Sequence, residues 1–314
     1  KSRGYYSGPW LSGRHLIDNV DSLMPTDAQT QQLSSYDNRS VRWGRTATDA
    51  IIFDRDNKYN AGFFVWTGFD YIGEPTPFGG TSKSSYFGIV DTCGFPKDEF
   101  YLYQSQWTSV EENPMVHIMP HWNWEDDTLR KKVTYPAKSE LEGIEEGYLI
   151  DYAKEDEGKI PLRIYSNAPA VELFVLDPTD SLDQLDASKS LGKKEFTQKV
   201  TSYGKPYQQQ SETSDRLYLE WALSWEEYHD VGTTIVAVAY NEDGDEIARD
   251  VVVTADEASK LEVSAESQVI KADGSDLCYI TVDITDENGN FAPNAMNEIF
   301  FDITGDGKIV GVDN

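Results

Sequence analysis

The sequence is poor in cysteine, histidine and positive charge. It has 314 residues, with 2 Cys, 4 His and 27 Lys+Arg against 55 Asp+Glu, a formal net charge of -28. Cys93 and Cys278 lie far apart and form neither a disulfide framework nor a zinc motif. The negative charge opposes encounter with nucleic acids and anionic membranes. We therefore expect no nucleic-acid partner, and no cofactor is indicated by any motif.

Long apolar runs are also lacking. No window approaches the roughly 18 consecutive apolar residues of a membrane span, and the first residues lack a signal-peptide pattern. The chain is nevertheless 39% hydrophobic and 12% aromatic, which is too rich for a disordered acidic protein. At roughly 100–200 residues per domain, its length predicts two or three domains.

Charge and aromatic residues are unevenly distributed along the chain. Residues 1–112 carry 10 basic and 14 acidic side chains and 20 of the 39 aromatic residues, whereas residues 113–314 carry 17 basic and 41 acidic side chains. This contrast predicts a boundary near residue 112, between two kinds of structure.

The pattern of the first segment is typical of an α/β fold. Residues 46–53 and 97–107 have helical patterns, with acidic residues at the start of the second. The apolar run 61–66 (AGFFVW) predicts a strand buried on both faces, and a long loop rich in Gly and Pro follows it over 67–85. We expect 1–112 to be the C-terminal part of a parallel α/β domain.

After residue 113, short strand-like runs alternate with polar turns. A second series begins after the polar, acidic linker 255–260, and there the run 298–303 (EIFFDI) reads as a strand. We predict two antiparallel β-sandwich modules, 113–254 and 255–314, the second shorter than a typical sandwich of about 100 residues and therefore truncated. The runs in the first module are 115–119, 162–165, 171–176, 217–221, 234–240 and 246–253, with a hairpin turn at 241–245.

The loop after the predicted strand is the candidate site. Trp66 closes the strand, and Asp70 and Glu74 follow it. A tryptophan face can stack on the C–H face of a sugar, but an aromatic residue between a barrel and its helices would serve packing instead. The two carboxylates could form a glycoside-hydrolysing pair, which needs separations of about 5–5.5 or 6.5–9.5 Å, and a loop of unknown path fixes no such distance.

Three strings resemble glycoside hydrolase family 2 β-galactosidases of the large bacterial multidomain type. They are WTGFDYIGEPTP at 66–77, SSYFGIVD at 84–91 and FPKDEFYLYQSQW at 95–107. VHIMPHWNW at 116–124 resembles the join between the family's barrel and the next sandwich, and 259–314 resembles a later Ig-like module. The resemblance implies the end of a (β/α)₈ barrel followed by two β-sandwich (Ig-like) modules.

The resemblance also implies where the chemistry lies. Family members are retaining hydrolases with two catalytic glutamates, and the resemblance implies that both precede Lys1. The segment alone is therefore expected to be inactive, with the remainder of the barrel as its partner. Trp66 matches the tryptophan that lines the family's sugar pocket. Asp70 and Glu74 are further substrate-binding candidates, with loop structure as the alternative role of Asp70.

Substrate class follows from one local difference. The family's β-glucuronidases carry an Asn-x-Lys motif whose lysine pairs with the sugar carboxylate, whereas this chain has Ser85-Tyr86-Phe87 there. A buried uronate without a cation would be costly, so a neutral sugar, and galactose by resemblance, is expected. A β-glucuronidase and a non-catalytic carbohydrate-binding or structural fragment are the alternatives. A secreted or cell-surface bacterial location is expected, with a cytoplasmic one left open.

Other patterns favour structural roles. His117 and His121 have a metal-pair spacing for a helix, but Pro120 and the strand pattern oppose a helix there. Trp122 and Trp124 alternate as strand neighbours, so one is expected to face a core and the other the opposite side. Asp302, Asp306 and Asp313 mimic a calcium loop without its helices. A structural cation is possible but not indicated, and no metal ligand is assigned.

Overall fold

The computed structural model describes residues 26–27, 32–33, 36–37, 45–74, 84–85, 87–124, 134 and 154–313. These parts of the chain are mostly β-structure with few helices. The helices are α1 (Ala47–Asp56), α2 (Asp98–Trp107) and the short α3 (Trp225–Tyr228). The strands are β1 (Thr26–Asp27), β2 (Gln32–Leu33), β3 (Val116–Met119), β4 (Ile160–Ser166), β5 (Ala170–Leu176), β6 (Ser190–Glu195), β7 (Thr197–Val200), β8 (Pro206–Gln209), β9 (Leu219–Leu223), β10 (Thr234–Tyr240), β11 (Glu246–Val253), β12 (Lys260–Ala265) and β13 (Ile280–Thr285).

Helix α1 confirms the helix predicted over 46–53 and begins with two caps. The Thr46 hydroxyl accepts a hydrogen bond from the Asp49 backbone N–H at 3.2 Å. The Asp37 carboxylate accepts two more, from the N–H groups of Ala47 at 2.8 Å and Thr48 at 2.7 Å. These three acceptors satisfy N–H groups that the first helical turn leaves unpaired.

Helix α2 confirms the helix predicted over 97–107, and its first turn carries Asp98 and Glu99. The 3–4 spacing of Phe100, Tyr103 and Trp107 predicts one apolar face, and the buried face of the helix differs from it in part. Leu102 and Tyr103 are buried, whereas Trp107 is 56% exposed. The helix packs against strands β3 and β4, and this neighbour determines which side of the helix is covered.

The prediction of a strand over 61–66 is wrong. That stretch has no strand assignment, and Phe64 and Trp66 are exposed. A parallel strand exists only as a member of a ladder, and no described segment pairs with residues 61–66. The α/β pattern is represented by α1, α2 and the loop between them, and the end of a barrel is not shown.

The strand runs predicted after residue 113 correspond to real strands, which form a two-sheet sandwich. One sheet has the order β11-β10-β5-β6 and the other β3-β4-β9. All neighbouring strands are antiparallel. The hairpin turn predicted at 241–245 joins β10 to β11, with Thr234 opposite Val253. The separate β7–β8 hairpin was not predicted, because its strands are mostly polar and therefore lack an apolar pattern.

The two sheets enclose one apolar core. Alternate residues of β10, Ile235, Ala237 and Ala239, pack into it with residues of β4, β5 and β9. The other face of β10 is also buried, because Val236 and Val238 pack with Phe174 and Leu176 in a smaller cluster. Strand β10 is therefore central and reads as a continuous apolar run.

The last module contains a single antiparallel hairpin, β12–β13, among the described residues 255–313. The strand predicted over 298–303 is wrong, since those residues have no strand assignment and Phe300 is 84% exposed. A strand needs a ladder partner and a covered face, and the described part of this module supplies neither to that run. The predicted linker ends where β12 begins, at Lys260.

No helix in the described parts of the chain is both long and apolar enough to cross a membrane.

Candidate functional site

The candidate site is the loop between residue 66 and α2, where two segments of backbone are joined. The N–H groups of Ile89 and Val90 donate to the carbonyls of Thr67 and Gly68, each at 3.0 Å. Phe69 and Val90 form a parallel bridge. The two segments, 67–72 and the described residues of 84–90, therefore form an irregular ribbon, and residues 91–97 connect this ribbon to α2.

Asp70 is the buried centre of this ribbon. One carboxylate oxygen accepts from the Ser85 hydroxyl at 3.1 Å and the Gly88 N–H at 2.7 Å. The other binds the ammonium group of Lys97, the N-cap residue of α2. All three partners belong to the protein, so the geometry gives Asp70 the task of joining 67–72 to 84–90 and to the helix.

Gly88 is required by this close approach. A β-carbon at Gly88 would lie 2.1 Å from the Asp70 backbone nitrogen and 2.4 Å from the Phe69 carbonyl carbon. Real side chains do not tolerate such distances, so only glycine allows the Gly88 N–H to reach the Asp70 carboxylate.

Trp66 stands at the start of the ribbon and is 78% exposed. Its indole N–H donates to the Tyr71 hydroxyl at 3.3 Å, and that hydroxyl donates to Glu74 Oε2 at 2.8 Å. The peptide bond between Trp66 and Thr67 is cis. The structure therefore brings Trp66 and Glu74 together through Tyr71, and places Asp70 beneath them as a buried anchor.

This arrangement can bind a ligand through its exposed aromatic face, but it does not supply a pair of carboxylates for hydrolysis. Retaining hydrolysis needs two carboxyl groups about 5–5.5 Å apart and both free to act on the substrate. In the described part of the loop, Asp70 is occupied by protein partners and Glu74 by Tyr71. What the loop presents to solvent is the indole face of Trp66, with the Tyr71 hydroxyl and the Glu74 carboxylate beside it.

Sequence reasoning missed Tyr71, Ser85 as a partner of Asp70, and Lys97. The spacing of Lys97 from Asp70 carries no local signal, because the two residues are brought together by the chain reversal between them. Tyr71 carried a weak signal, since it lies between two candidate residues. Tyr86, which entered the substrate argument, lies outside the described residues.

His117 and His121 are both buried, and their rings contact different partners. His117 Nε2 lies 2.7 Å from Asp98 Oδ1, and Nδ1 lies 3.4 Å from Asp250 Oδ2. His121 stacks on Trp124 at 5.1 Å between ring centroids. Within the described ranges no group of three or more His, Cys, Asp or Glu side chains is placed to hold a metal ion.

The alternation predicted for Trp122 and Trp124 is wrong, because both are buried. Residues two positions apart in an extended chain point to the same side, and strand β3 already ends at Met119. Trp122 donates its indole N–H to the Tyr228 carbonyl at 2.7 Å, which ties this segment to α3. Cys93 is largely exposed, and the partial desolvation of its thiol, followed by the nearby Asp91 carboxylate, raises the pKa of that thiol, the opposite of an activated nucleophile.

Comparisons with known proteins agree with this architecture. Residues 261–314 match the family model described as glycoside hydrolase family 2 C-terminal domain 5. Residues 157–248, most of the sandwich, match a model described as a domain of unknown function, DUF4982.

Similar proteins include glycosidases. The chain is 36% identical over 313 residues to beta-galactosidase BoGH2A of Bacteroides ovatus. The match covers 100% of this chain and 29% of that protein. It is 29% identical over 333 residues to a protein of Formosa agariphila named provisionally as a beta-glucuronidase, covering 100% of this chain and 26% of that protein. The solved structure of a beta-glycosidase from Bacteroides vulgatus matches 83% of this chain and 24% of its own length, with 28% identity and a TM-score of 0.55.

The fold and the loop thus define a β-sandwich assembly attached to a loop with an exposed aromatic face. The predicted resemblance is confirmed: residues 261–314 match a glycoside hydrolase family 2 C-terminal domain, and the chain along its whole length is similar to a beta-galactosidase. It spans less than a third of the length of the curated relative from Bacteroides ovatus.

Proposed function

We propose that this chain is the C-terminal segment of a retaining β-galactosidase that removes terminal β-D-galactosyl groups. The observation that carries the proposal is the similarity to the Bacteroides ovatus beta-galactosidase along the whole chain, including the loop with Trp66. The exposed indole face of Trp66 supports it further, because a flat apolar face suits the C–H face of a galactose ring.

In this proposal the two catalytic glutamates lie on the barrel residues that precede Lys1. One attacks the anomeric carbon and forms a galactosyl-enzyme. The other protonates the leaving oxygen and then activates water. The described residues contribute a wall for the sugar, formed by the indole of Trp66, while the ribbon anchored by Asp70 connects that wall to α2.

The proposal is tested with the full-length protein that contains this chain, using 4-nitrophenyl β-D-galactoside. We expect hydrolysis, and we expect Trp66→Ala to lower kcat/KM by about 100-fold or more, because the reacting sugar loses its positioning surface. Tyr59→Ala is the matched control, since Tyr59 has the same exposed fraction of 78% outside the ribbon. No hydrolysis by the wild type, or equal kcat/KM in both variants, contradicts the proposal.

A β-glucuronidase is the second candidate, favoured by the 29% identity to the Formosa agariphila protein. In the described residues of 67–97, Lys97 is the one cationic residue, and it binds the buried Asp70. A uronate would need a separate cation. We therefore expect the full-length protein to hydrolyse the galactoside faster than 4-nitrophenyl β-D-glucuronide, and the reverse preference would select the second candidate.

A further inference from the structure

Tyr71 is the residue on which Trp66 and Glu74 converge. Its hydroxyl accepts the Trp66 indole N–H at 3.3 Å and donates to Glu74 Oε2 at 2.8 Å. The order of these bonds is fixed by chemistry. An indole N–H only donates, an ionised carboxylate only accepts, and a phenol hydroxyl does both.

At neutral pH the Tyr71 hydroxyl continues to donate to Glu74 and to accept from Trp66. The hydrogen bond to Glu74 raises the pKa of Tyr71 above its usual value, and the indole N–H opposes that effect only in part. The proton therefore stays on the phenol. Donation to an anionic acceptor also polarises the Tyr71 oxygen and makes it a better acceptor for the indole.

Tyr71 is held much more firmly than Trp66. Its backbone N–H donates to the Ser85 hydroxyl at 3.1 Å, and its carbonyl accepts from the Ser85 N–H at 2.9 Å. Its ring packs edge-on against Phe87 at 5.6 Å between centroids. Trp66, by contrast, is mostly exposed, so packing alone gives its ring little orientation.

We propose that Tyr71 is a positioning residue for sugar binding, which holds the indole of Trp66 at the correct angle while Glu74 fixes the direction of the hydroxyl. The inference rests on the proposed function, because that angle has a use only if a glycoside stacks there. It also changes the role of Glu74, which acts through Tyr71 and not through direct contact with the sugar.

The kinetic test uses the full-length protein and the variants Tyr71→Phe, Trp66→Phe and the double variant. Tyr71→Phe removes one oxygen and keeps the ring on Phe87. We expect it to raise KM for nitrophenyl galactoside by about 3- to 10-fold, the size of one or two hydrogen bonds, with a smaller change in kcat. Trp66→Phe has no indole N–H, so adding Tyr71→Phe to it should change KM less than about 2-fold.

Two further variants separate the role of Glu74 from a charge effect. Glu74→Gln keeps an acceptor for the Tyr71 hydroxyl, and we expect KM within about 3-fold of wild type. Glu74→Ala removes the acceptor and should behave like Tyr71→Phe. Tyr59→Phe, the same change at an exposed tyrosine outside the ribbon, should have wild-type KM. Additive effects of Tyr71→Phe and Trp66→Phe would overturn the proposal.

A measurement independent of activity uses the protein labelled with 5-fluorotryptophan and ¹⁹F NMR. The resonance missing in Trp66→Phe identifies Trp66. We expect that resonance to shift in Tyr71→Phe and to stay in place in Tyr59→Phe. An unmoved Trp66 resonance with unchanged KM overturns the positioning role.

The two experiments distinguish this inference from the proposed function. If the Trp66 resonance shifts in Tyr71→Phe but Trp66→Ala leaves kcat/KM unchanged, Tyr71 positions the indole and the assigned sugar site is wrong. If Trp66→Ala abolishes activity and Tyr71→Phe changes neither KM nor the resonance, the sugar site stands and the role of Tyr71 is wrong.

Discussion

Asp98 at the start of α2 and His117 in β3 are joined by a contact of 2.7 Å between Oδ1 and Nε2, and both side chains are almost completely buried. Asp250 of β11 lies 3.4 Å from the other ring nitrogen, and Tyr101 stacks on the imidazole at 3.8 Å. One imidazole thus connects the helix after the ribbon to a strand from each sheet of the sandwich.

This connection predicts a loss of stability as the pH rises above about 6.5, the usual pKa of histidine. Burial lowers the pKa of His117, but hydrogen bonds with Asp250 and Asp98 outweigh it and raise the pKa above its usual value. A raised pKa in the folded state means that the stabilisation is fully present below the unfolded value of about 6.5 and is lost as pH rises through the folded value. We expect the protection of α2 amides against hydrogen exchange, corrected for intrinsic rates, to fall over that range.

The control for this pH effect is a histidine outside the group formed by Asp98, His117 and Asp250. His117→Gln should abolish the pH dependence of α2 protection, whereas His229→Gln should retain it, since His229 is 40% exposed and lies beside α3. A pH dependence that survives in His117→Gln would assign the effect to another group.

Gly88→Ala should disrupt the ribbon although it adds one methyl group. The new β-carbon would meet the backbone of Phe69 and Asp70 well inside contact distance, so the two segments must separate. We expect a loss of about 3 kcal/mol in the free energy of unfolding of this region, as for other overpacked sites, together with reduced activity. Measurement is by denaturant unfolding and by kcat/KM of the full-length protein.

Gly68→Ala is the matched control in the same ribbon. A β-carbon at Gly68 has no atom within 4 Å, and its backbone does not need the left-handed conformation. This variant should unfold like the wild type. Equal stability of the Gly68 and Gly88 variants would show that the close approach at Gly88 does not constrain the ribbon.

The Asp70–Lys97 pair should be strongly coupled. Their side chains are 6% and 15% exposed, and removing one partner of a buried pair leaves an uncompensated charge, at a cost of about 3–5 kcal/mol. Asp70→Ala and Lys97→Met should each destabilise the protein, and the double variant should be less destabilised than the sum of both. A double-mutant cycle of unfolding free energies measures this coupling.

Lys199 and Glu212 provide a comparison pair, with side chains 31% and 73% exposed. Because solvent screens exposed charges, their coupling should be no more than about 1 kcal/mol. A coupling at Asp70–Lys97 as small as at this surface pair would mean that the buried pair does not hold the ribbon to α2.

The parts of the fold that sequence could predict are those fixed by local chemistry. The turn Asn241–Asp245 and the apolar run of β10 define a hairpin without help from the rest of the chain. Residues 61–66 and 298–303 have equally apolar patterns, yet neither is a strand in the described structure. An apolar pattern shows that a segment could form a strand. Whether it does so depends on a neighbouring strand from another part of the chain, which the local pattern does not show.

In the candidate site, too, features that depend on local sequence could be predicted, and contacts between distant residues could not. Trp66 could be selected because its chemistry and its place in the loop are visible in the sequence. The anchoring of Asp70 by Ser85, Gly88 and Lys97 could not, because those residues are 15 to 27 positions away and meet it only after the chain reverses. For the same reason, the link from Trp66 through Tyr71 required geometry.

Asn123 is predicted to hold the last module against the sandwich. Its side chain makes two hydrogen bonds with the backbone of Ala255, donating to the carbonyl at 2.8 Å and accepting from the N–H at 3.0 Å. Asn294 donates to the Asn123 carbonyl at 2.8 Å. Asn123→Ala removes the two side-chain bonds and leaves the buried backbone groups of Ala255 unpaired, at a cost of about 1–3 kcal/mol each.

We expect Asn123→Ala to expose the segment between β11 and β12, so that limited proteolysis cleaves near residues 255–260 faster than in the wild type. Asn241→Ala is the control, because the Asn241 side chain also makes two hydrogen bonds, both with Asp245 in the β10–β11 turn: it accepts from the backbone N–H at 2.8 Å and donates to Oδ2 at 3.4 Å. It should leave cleavage at 255–260 unchanged, because its partners lie in its own turn. Cleavage at equal rates in the two variants would show that the two modules stay together without Asn123.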